Sequence, residues 1–155
     1  MPVLLSDDEA GVIAGVHVFC AVLAWSRFRF VRFAADEKAA TTMAMLAECF
    51  EVLGGTPKVV LADRMGCLKG GVVANVVVPT PSYVRFATHY GFAPDFCHGA
   101  DPESKGIVEN LCGYAQSDLA QPLWTEAKIA AGRDDVQLDV HLANRAAWDW
   151  CAEVN

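Results

Sequence analysis

The sequence lacks an apolar run that is both long enough and free enough of charge to cross a bilayer. Its longest apolar stretch, Val12 to Trp25, contains His17 and ends at Ser26-Arg27, whereas a transmembrane helix needs about 20 apolar residues. The stretch is rich in β-branched and aromatic residues and predicts a buried strand. The sequence also begins without a basic region, an apolar core and a small-residue cleavage site. We therefore expect no membrane partner and no secretory signal.

Paired cysteines are lacking as well. The six cysteines, at positions 20, 49, 67, 97, 112 and 151, form no C-x-x-C pair, and four of them lie in apolar stretches. This pattern predicts reduced core thiols in a cytoplasmic protein. The adjacent Cys97 and His98 make a poor zinc pattern, because no second pair of ligands accompanies them.

Positive charge is scarce: 12 Lys and Arg stand against 19 Asp and Glu, for a net charge of −7. Such a balance by itself disfavours a nucleic-acid partner. The excess acid is confined to the two ends, since residues 21–116 contain nine bases and nine acids. The acidic total therefore does not exclude nucleic acid as a partner of the middle segment.

Hydrophobic periodicity predicts a mixed α/β domain with the element order β-β-α-β-α-β-α-α. Residues 1–6 are the possible end of a preceding strand that turns through residues 7–11. Arg27, Arg29 and Arg32 alternate with apolar residues, which is typical of the solvent face of an outer strand; phosphate contact is the alternative. The predicted segments are strands 12–23, 27–33, 58–62 and 92–97 and helices 37–53, 79–90, 102–121 and 140–152, with 64–78 unassigned and a helix break at Pro122.

Two acidic residues stand out by position. Asp63 ends an apolar strand, where α/β sheets expose functional groups, and Glu109 lies in a helix with Lys105 one turn before it. Carboxylates from separate elements can converge on Mg²⁺, which prefers oxygen ligands. The alternatives are a turn role for Asp63 and a solvated Lys105–Glu109 pair worth about 0.3–0.5 kcal/mol.

Three segments, "VHVFCAVLAWSR", "GGTPKVVLADRM" and "DPESKGIVENLCGYAQ", resemble the integrase core of bacterial insertion-sequence transposases. The closer resemblance is to the two-gene kind that works with a helper ATPase. It implies an RNase H-like fold, a mixed sheet flanked by helices, with a D,D,E triad. The second aspartate of that triad falls on Asp63 and the glutamate on Glu109, and Lys105 matches a position that faces the DNA end.

The same resemblance implies the cofactors and partners. Two Mg²⁺ or Mn²⁺ ions are expected in the intact enzyme, one of which activates water to free a 3′-hydroxyl at the element's end. Terminal-repeat and target DNA, a homo-oligomer and the helper ATPase are the expected partners. The expected location is the bacterial cytoplasm, at the nucleoid when the protein is bound to DNA.

The sequence departs from the family pattern at its start. Counting back from "VHVF" puts the first triad aspartate at Met1 or before it, and Asp7 and Asp8 are the only nearby carboxylates. We therefore expect the first strand to be incomplete or missing, with Asp7 or Asp8 as the only substitutes. Residues 1–121 are interpreted as the truncated catalytic core, and residues 122–155 as a linker and helix leading out of it.

Three functions stay open at this point. The first is a DDE transposase fragment that cleaves DNA 3′ ends and transfers strands, weak or inactive in this form. The second is a catalytically dead remnant that only associates with the intact transposase or with DNA. The third is a small-molecule-binding α/β domain, which predicts an apolar pocket at the strand ends and a wide separation of Asp63 and Glu109.

Overall fold

The computed structural model describes residues 2–63, 65–97 and 102–155, and the side chains within them except those of 2–13, 102, 104 and 105. In chain order the elements are β1 (Pro2–Ile13), β2 (Val16–Leu23), β3 (Arg29–Ala34), α1 (Ala39–Leu53), β4 (Val59–Ala62), β5 (Lys69–Val73), β6 (Val76–Pro79), α2 (Pro81–Tyr90), β7 (Ala93–Phe96), α3 (Pro102–Ala115), a π-helical segment (Gln116–Ala120), α4 (Gln121–Ala131) and α5 (Val140–Val154). No helix within these ranges is both long and apolar enough to cross a membrane.

A five-stranded mixed sheet in the order β3-β2-β1-β4-β7 forms the centre of the molecule. β2 pairs antiparallel with both β1 and β3. β1, β4 and β7 run parallel to one another, which requires the helical crossovers that the sequence predicted. The predicted mixed sheet flanked by helices is confirmed.

Helices cover both faces of this sheet. Successive strand residues point to opposite sides, so neighbouring residues of one strand pack against different helices. Val18 belongs to a buried cluster with residues of α3 and α5, including Val108 and Ala147. Its neighbour Phe19 belongs to a second cluster on the other face, with Leu46 of α1 and Tyr83 of α2. The sheet thus separates two apolar layers, and α3 and α5 share one of them.

The predicted turn through residues 7–11 is wrong. β1 continues through this segment, and Ala14 and Gly15 make the turn with φ of 51° and 83°. The β1–β2 ladder is regular up to the Asp7–Phe19 pair and resumes at Val12–His17, so a bulge absorbs the surplus residues without ending the strand. The first strand, expected to be incomplete or missing, is present from Pro2 in the centre of the sheet.

The predicted helix break at Pro122 is also wrong. The chain stays helical from α3 through the π-helical segment into α4, and Pro122 lies in the first turn of α4. Proline is tolerated there because its missing N–H removes little hydrogen bonding. The division at residue 121 into core and linker stays a prediction, although α5 packs against β3 and contributes Trp150 to the buried core.

The unassigned stretch after β4 contains a hairpin of β5 and β6. Ala74 and Asn75 form its turn, with φ of 49° and 65°, the left-handed values that a tight two-residue hairpin turn requires. The hairpin was missed because valines on a short two-stranded sheet show no clear alternation, and four of them are more than a third exposed.

Arg32 is not on the solvent face that the alternation predicted, since only 3% of its surface is exposed. Its Nε donates to Glu48 Oε1 at 2.6 Å, and its Nη1 donates to the carbonyl of Val31 at 2.8 Å. The guanidinium lies 4.3 Å from the ring centre of Phe30 and 5.0 Å from that of Trp148. The prediction failed because α1 and α5 approach this strand from distant parts of the sequence.

The outer edge of β3 is covered by α5 through two asparagine side chains. Asn144 accepts a hydrogen bond from the N–H of Phe33 at 2.7 Å and donates to its carbonyl at 2.8 Å. Asn155 makes the same pair of bonds with Arg29, at 2.6 and 2.8 Å. We call these contacts the asparagine clamps. They occupy backbone groups that would otherwise template pairing with another chain.

Removing one clamp is expected to destabilise the fold. Asn144→Ala leaves the N–H and carbonyl of Phe33 without their partner, which costs about 1–3 kcal/mol. Chemical denaturation should show this loss in the free energy of unfolding. Arg145→Ala, at the exposed neighbouring position on α5, is the control and should leave that free energy within about 0.5 kcal/mol. Equal stabilities of the two variants would show that the clamp contributes nothing.

Alkaline pH is expected to destabilise the fold through a buried thiol. Burial raises the pKa of Cys49 from 9.0 to about 12, so the unfolded chain releases this proton at a lower pH than the folded one. The free energy of unfolding should therefore be unaffected by this group below pH 9 and fall by roughly 1 kcal/mol per pH unit between 9 and 12.

Urea denaturation across this pH range measures the effect. Burial also raises the pKa of Tyr83, so Cys49→Ala should flatten the decline without abolishing it. Val60→Ala creates a cavity of its own and should lower the curve at every pH while keeping its slope. A Cys49→Ala profile parallel to that of the unmodified chain would contradict the prediction.

Candidate functional site

Asp63 stands at the carboxyl end of a central parallel strand. It follows directly after Ala62, the last residue of β4, and is half-buried. β4 lies between β1 and β7 and runs parallel to both. The carbonyl of Asp63 accepts a hydrogen bond from the N–H of Met65, so the chain turns sharply after the strand. The residue thus occupies the edge of the sheet where α/β folds expose functional groups.

Glu109 is presented by the helix that covers the centre of the sheet. α3 packs across β1 and β2, and it does so with an apolar stripe at i, i+3, i+4 and i+7 formed by Val108, Leu111, Cys112 and Ala115. Glu109 follows the fully buried Val108 by one residue, about 100° around the helix. Its side chain is exposed.

Asp63 follows a strand that pairs with β1, and Glu109 lies on the helix that packs across β1 and β2. Leu61 packs against the cluster that contains α3, whereas Val60 and Ala62 belong to the cluster on the opposite face. Leu61 therefore faces the α3 side, and Asp63 follows two residues later, just after the strand has ended. The elements that carry the two acids thus share β1 as a neighbour, and joint binding of one ion by Asp63 and Glu109 stays a prediction.

The other predicted site residue, Lys105, lies in α3 one turn before Glu109, as the sequence indicated. Its side chain falls outside the described residues. The predicted spacing of the two residues on one helix is therefore confirmed, and the contact of Lys105 with DNA stays a prediction.

The position on β1 level with Asp63 is held by a serine. The parallel ladder pairs Leu5 with Ala62, so the next residues, Ser6 and Asp63, are neighbours across the two strands. In the antiparallel ladder Ser6 stands opposite Cys20, and Asp7 stands opposite Phe19. Asp7 and Asp8 follow along β1, where the ladder becomes irregular, and not in the turn that the sequence suggested.

The donor chemistry of the two acids suits a hard divalent cation. Carboxylate oxygens are the ligands that Mg²⁺ prefers, and Mg²⁺ keeps several waters, so two carboxylates can hold it. Among the side chains that the structure describes, no group of three or more His, Cys, Asp and Glu could hold a metal ion. The two carboxylates therefore match such an ion in donor type.

Two arginines that were interpreted as a solvent face also face α3. Arg27 and Arg29 line a cleft together with Asn110 and Tyr114 of that helix. The alternating pattern around the arginines could not reveal this, because α3 comes from a distant part of the sequence. The two-residue spacing of the arginines on the predicted strand indicates that they share one side of it. That spacing does not identify the element that packs against this side.

Comparison with known proteins relates the chain to transposases. It is 31% identical over 106 residues to a transposase for an IS21-like insertion sequence element of Bacteroides fragilis, covering 67% of this chain and 20% of that protein. It is 29% identical over 105 residues to the transposase for insertion sequence element IS232 of Bacillus thuringiensis subsp. berliner, covering 66% and 24%. The chain spans a fifth to a quarter of the length of the curated relatives it matches.

Solved structures identify the fold. The catalytic core domain of HTLV-2 integrase, in complex with magnesium, superposes with a TM-score of 0.61 at 14% identity, covering 95% of this chain and 83% of that chain. No family model matches the sequence. The fold is therefore the RNase H-like fold of integrase catalytic cores, and the predicted resemblance to an integrase-like insertion-sequence transposase is confirmed.

Replacing either acid is expected to weaken binding of a divalent cation. Titration with Mn²⁺, in which electron paramagnetic resonance measures the free ion, should show the effect. Asp63→Asn and Glu109→Gln should each lower the affinity for Mn²⁺ by at least roughly tenfold. The double variant should lose little more, because ligands of one ion act as a unit. Glu103→Gln, at an exposed position of the same helix, is the control. Independent, additive losses would mean that the two acids serve separate sites.

Proposed function

We propose that this chain, which resembles the integrase core of insertion-sequence transposases, is part of an enzyme that cleaves DNA 3′ ends and transfers them to target DNA. One observation carries the proposal: in an RNase H-like fold, Asp63 directly follows the central parallel strand β4, and Glu109 lies on α3, which packs across the neighbouring strand β1. The names of its relatives support transposition, and the magnesium complex of the HTLV-2 core supports a divalent cation. The chain matches only a fifth to a quarter of the length of these relatives, which carry further regions that the activity would require.

Asp63 and Glu109 would hold Mg²⁺ or Mn²⁺, with two ions expected in the intact enzyme. When bound, the ions would activate an attacking water or hydroxyl and stabilise the leaving oxygen. Asp63, fixed at the strand end, would supply the rigid ligand. Glu109, on a helix anchored by its buried stripe, would supply the opposing one. Lys105, one turn before Glu109 on α3, would contact the phosphates of the DNA end.

A third carboxylate would have to come from β1. Asp7 and Asp8 are the candidates, and each lies one or two residues beyond Ser6, which is level with Asp63. A strand rises about 3.3 Å per residue, so either carboxylate starts several ångströms farther along the strand than the serine. We therefore expect this chain to be a weak catalyst.

The expected partners follow from the same resemblance. Terminal-repeat and target DNA would be the substrates, and a homo-oligomer is supported by the dimeric form of the HTLV-2 core. The helper ATPase and the location at the bacterial nucleoid rest on the resemblance alone. None of these partners requires a membrane.

A second candidate function is a catalytically dead remnant that associates with the intact transposase or with DNA. The serine at the level of Asp63 favours it, because a hydroxyl is a poorer ligand for Mg²⁺ than a carboxylate. Co-purification with a tagged full-length transposase tests it. A chain that stays monomeric and does not bind that protein would exclude it.

The small-molecule alternative has less support: the apolar groove lined by Phe28, Phe30, Val52 and Trp148 lies between β3 and α5, away from the end of β4.

Strand transfer tests the proposal. The chain is incubated with Mn²⁺, a labelled oligonucleotide with a 3′-hydroxyl and a supercoiled plasmid. Weak joining of the label to the plasmid is expected, and Asp63→Asn or Glu109→Gln should reduce it by at least about a hundredfold, since both groups would act in the transition state. Glu103→Gln should retain the activity.

The same assay identifies the third carboxylate. If Asp8→Asn or Asp7→Asn abolishes joining, that residue completes the site; if both retain weak joining, the site works with two carboxylates. Joining that survives Asp63→Asn and Glu109→Gln together would refute the assigned site.

A further inference from the structure

A cleft of mixed polar and apolar lining separates the β2–β3 turn from α3. Its volume is about 280 Å³. It is lined by Val22, Arg27, Arg29, Ile107, Asn110, Leu111 and Tyr114. The apolar members form its floor on the buried cluster, whereas the two arginines, Asn110 and Tyr114 stand at its rim. The cleft therefore combines two cations with a hydrogen-bonding amide and an aromatic ring.

The turn that carries Arg27 is rigidly hydrogen-bonded. The N–H of Arg27 donates to the carbonyl of Leu23 at 2.9 Å, and the N–H of Leu23 donates to the carbonyl of Phe28 at 3.0 Å. Arg27 has a φ of 61°, a left-handed conformation that is uncommon for a residue other than glycine. Departures of this kind concentrate at functional sites. The backbone thus fixes where the long, exposed side chain begins.

Arg29 is held from the other side by the end of α5. Its backbone is paired by the Asn155 clamp, and its Nη1 donates to the carbonyl of Val154. The remaining guanidinium N–H groups stay available, because arginine has five donors. The second cation of the cleft is therefore held in position, and no carboxylate in the described part of the chain forms an ion pair with it.

Neither arginine takes part in an ion pair among the residues that the structure describes. Arg32, three residues beyond Arg29, shows the contrast, since Glu48 neutralises it at 2.6 Å. Two uncompensated guanidinium groups at one cleft are notable in a chain with a net charge of −7. They make this cleft a local site of positive potential.

We infer that this cleft binds a backbone phosphate of DNA, an inference that rests on the proposed function. Guanidinium forks match the oxygens of a phosphate in a bidentate geometry. Tyr114 is 42% exposed and Trp25, in the same turn as Arg27, is 85% exposed. Exposed aromatic rings beside arginines suit stacking on the sugars or unpaired bases of a nucleic acid, which an acidic peptide would not provide.

The cleft is separate from the two acids. Its helical members occur at i, i+3, i+4 and i+7 from Ile107, on the flank of α3 opposite Glu109. A helix with its side chains is about 10–12 Å wide, and a duplex rises 3.4 Å per base pair. The bound phosphate would thus lie roughly three nucleotides from the reacting one, and the cleft would position the DNA across α3.

Fluorescence anisotropy of a labelled duplex oligonucleotide, titrated with the chain at several salt concentrations, tests the cleft. Arg27→Gln should weaken binding about five- to tenfold and reduce the slope of log K against log salt by about one. Arg27→Lys keeps the charge and should restore most of the affinity. Arg85→Gln, exposed on α2 on the other face of the sheet, removes the same charge elsewhere and should change neither quantity.

The outcomes separate this inference from the proposed function. Equal effects of Arg27→Gln and Arg85→Gln, or no effect of Arg27→Gln, would overturn the cleft while leaving DNA binding in place. Failure of the unmodified chain to bind duplex DNA at low salt would count against both. Inorganic phosphate, added at constant ionic strength, should not displace the duplex; saturable displacement would show a site for free phosphate instead.

Discussion

The parallel pairing of β1 with β4 is the constraint on which the candidate site depends. The ladder from Pro2–Val59 to Leu5–Ala62 fixes how far β4 extends before Asp63 leaves the sheet. The same β1 supports α3, the helix that carries Glu109. A slip of one residue would send every side chain of β4 to the opposite face. The positions of the two elements that carry the acids therefore both depend on β1, the central strand.

The last helix protects the edge that this sheet would otherwise expose. Asn144 and Asn155 occupy backbone groups of β3, and Trp148 covers the buried guanidinium of Arg32. Pairing of two molecules through the β3 edge is thereby blocked, so a homo-oligomer has to use another surface. The same clamp fixes Arg29 at the cleft beside α3. One helix thus stabilises the fold, excludes one mode of association and positions a cation.

Local pattern was sufficient for elements whose ends are marked by their own residues. α2 begins after Thr80, whose side chain accepts from the N–H of Tyr83, and ends at Gly91 with φ of 78°; this punctuation is visible in the sequence. Local pattern was insufficient where contacts between residues far apart in the sequence determine the structure. The acidic segment at residues 7–11 looked like a turn, yet β1 continues through it between the Asp7–Phe19 and Val12–His17 pairs. Pro122 looked like a break, yet a π-helical segment carries the helix past it.

The sequence by itself determined the mixed α/β class, the hairpin of β2 and β3, the strand that ends at Asp63 and the helix that carries Lys105 and Glu109, because periodicity and capping are local properties. The tertiary structure alone decided that Ser6 is level with Asp63, that Arg32 is buried while Arg27 and Arg29 face a cleft, and that α5 covers the edge of β3. Those features arise from contacts between residues far apart in the chain, and no local pattern encodes which element will be the neighbour.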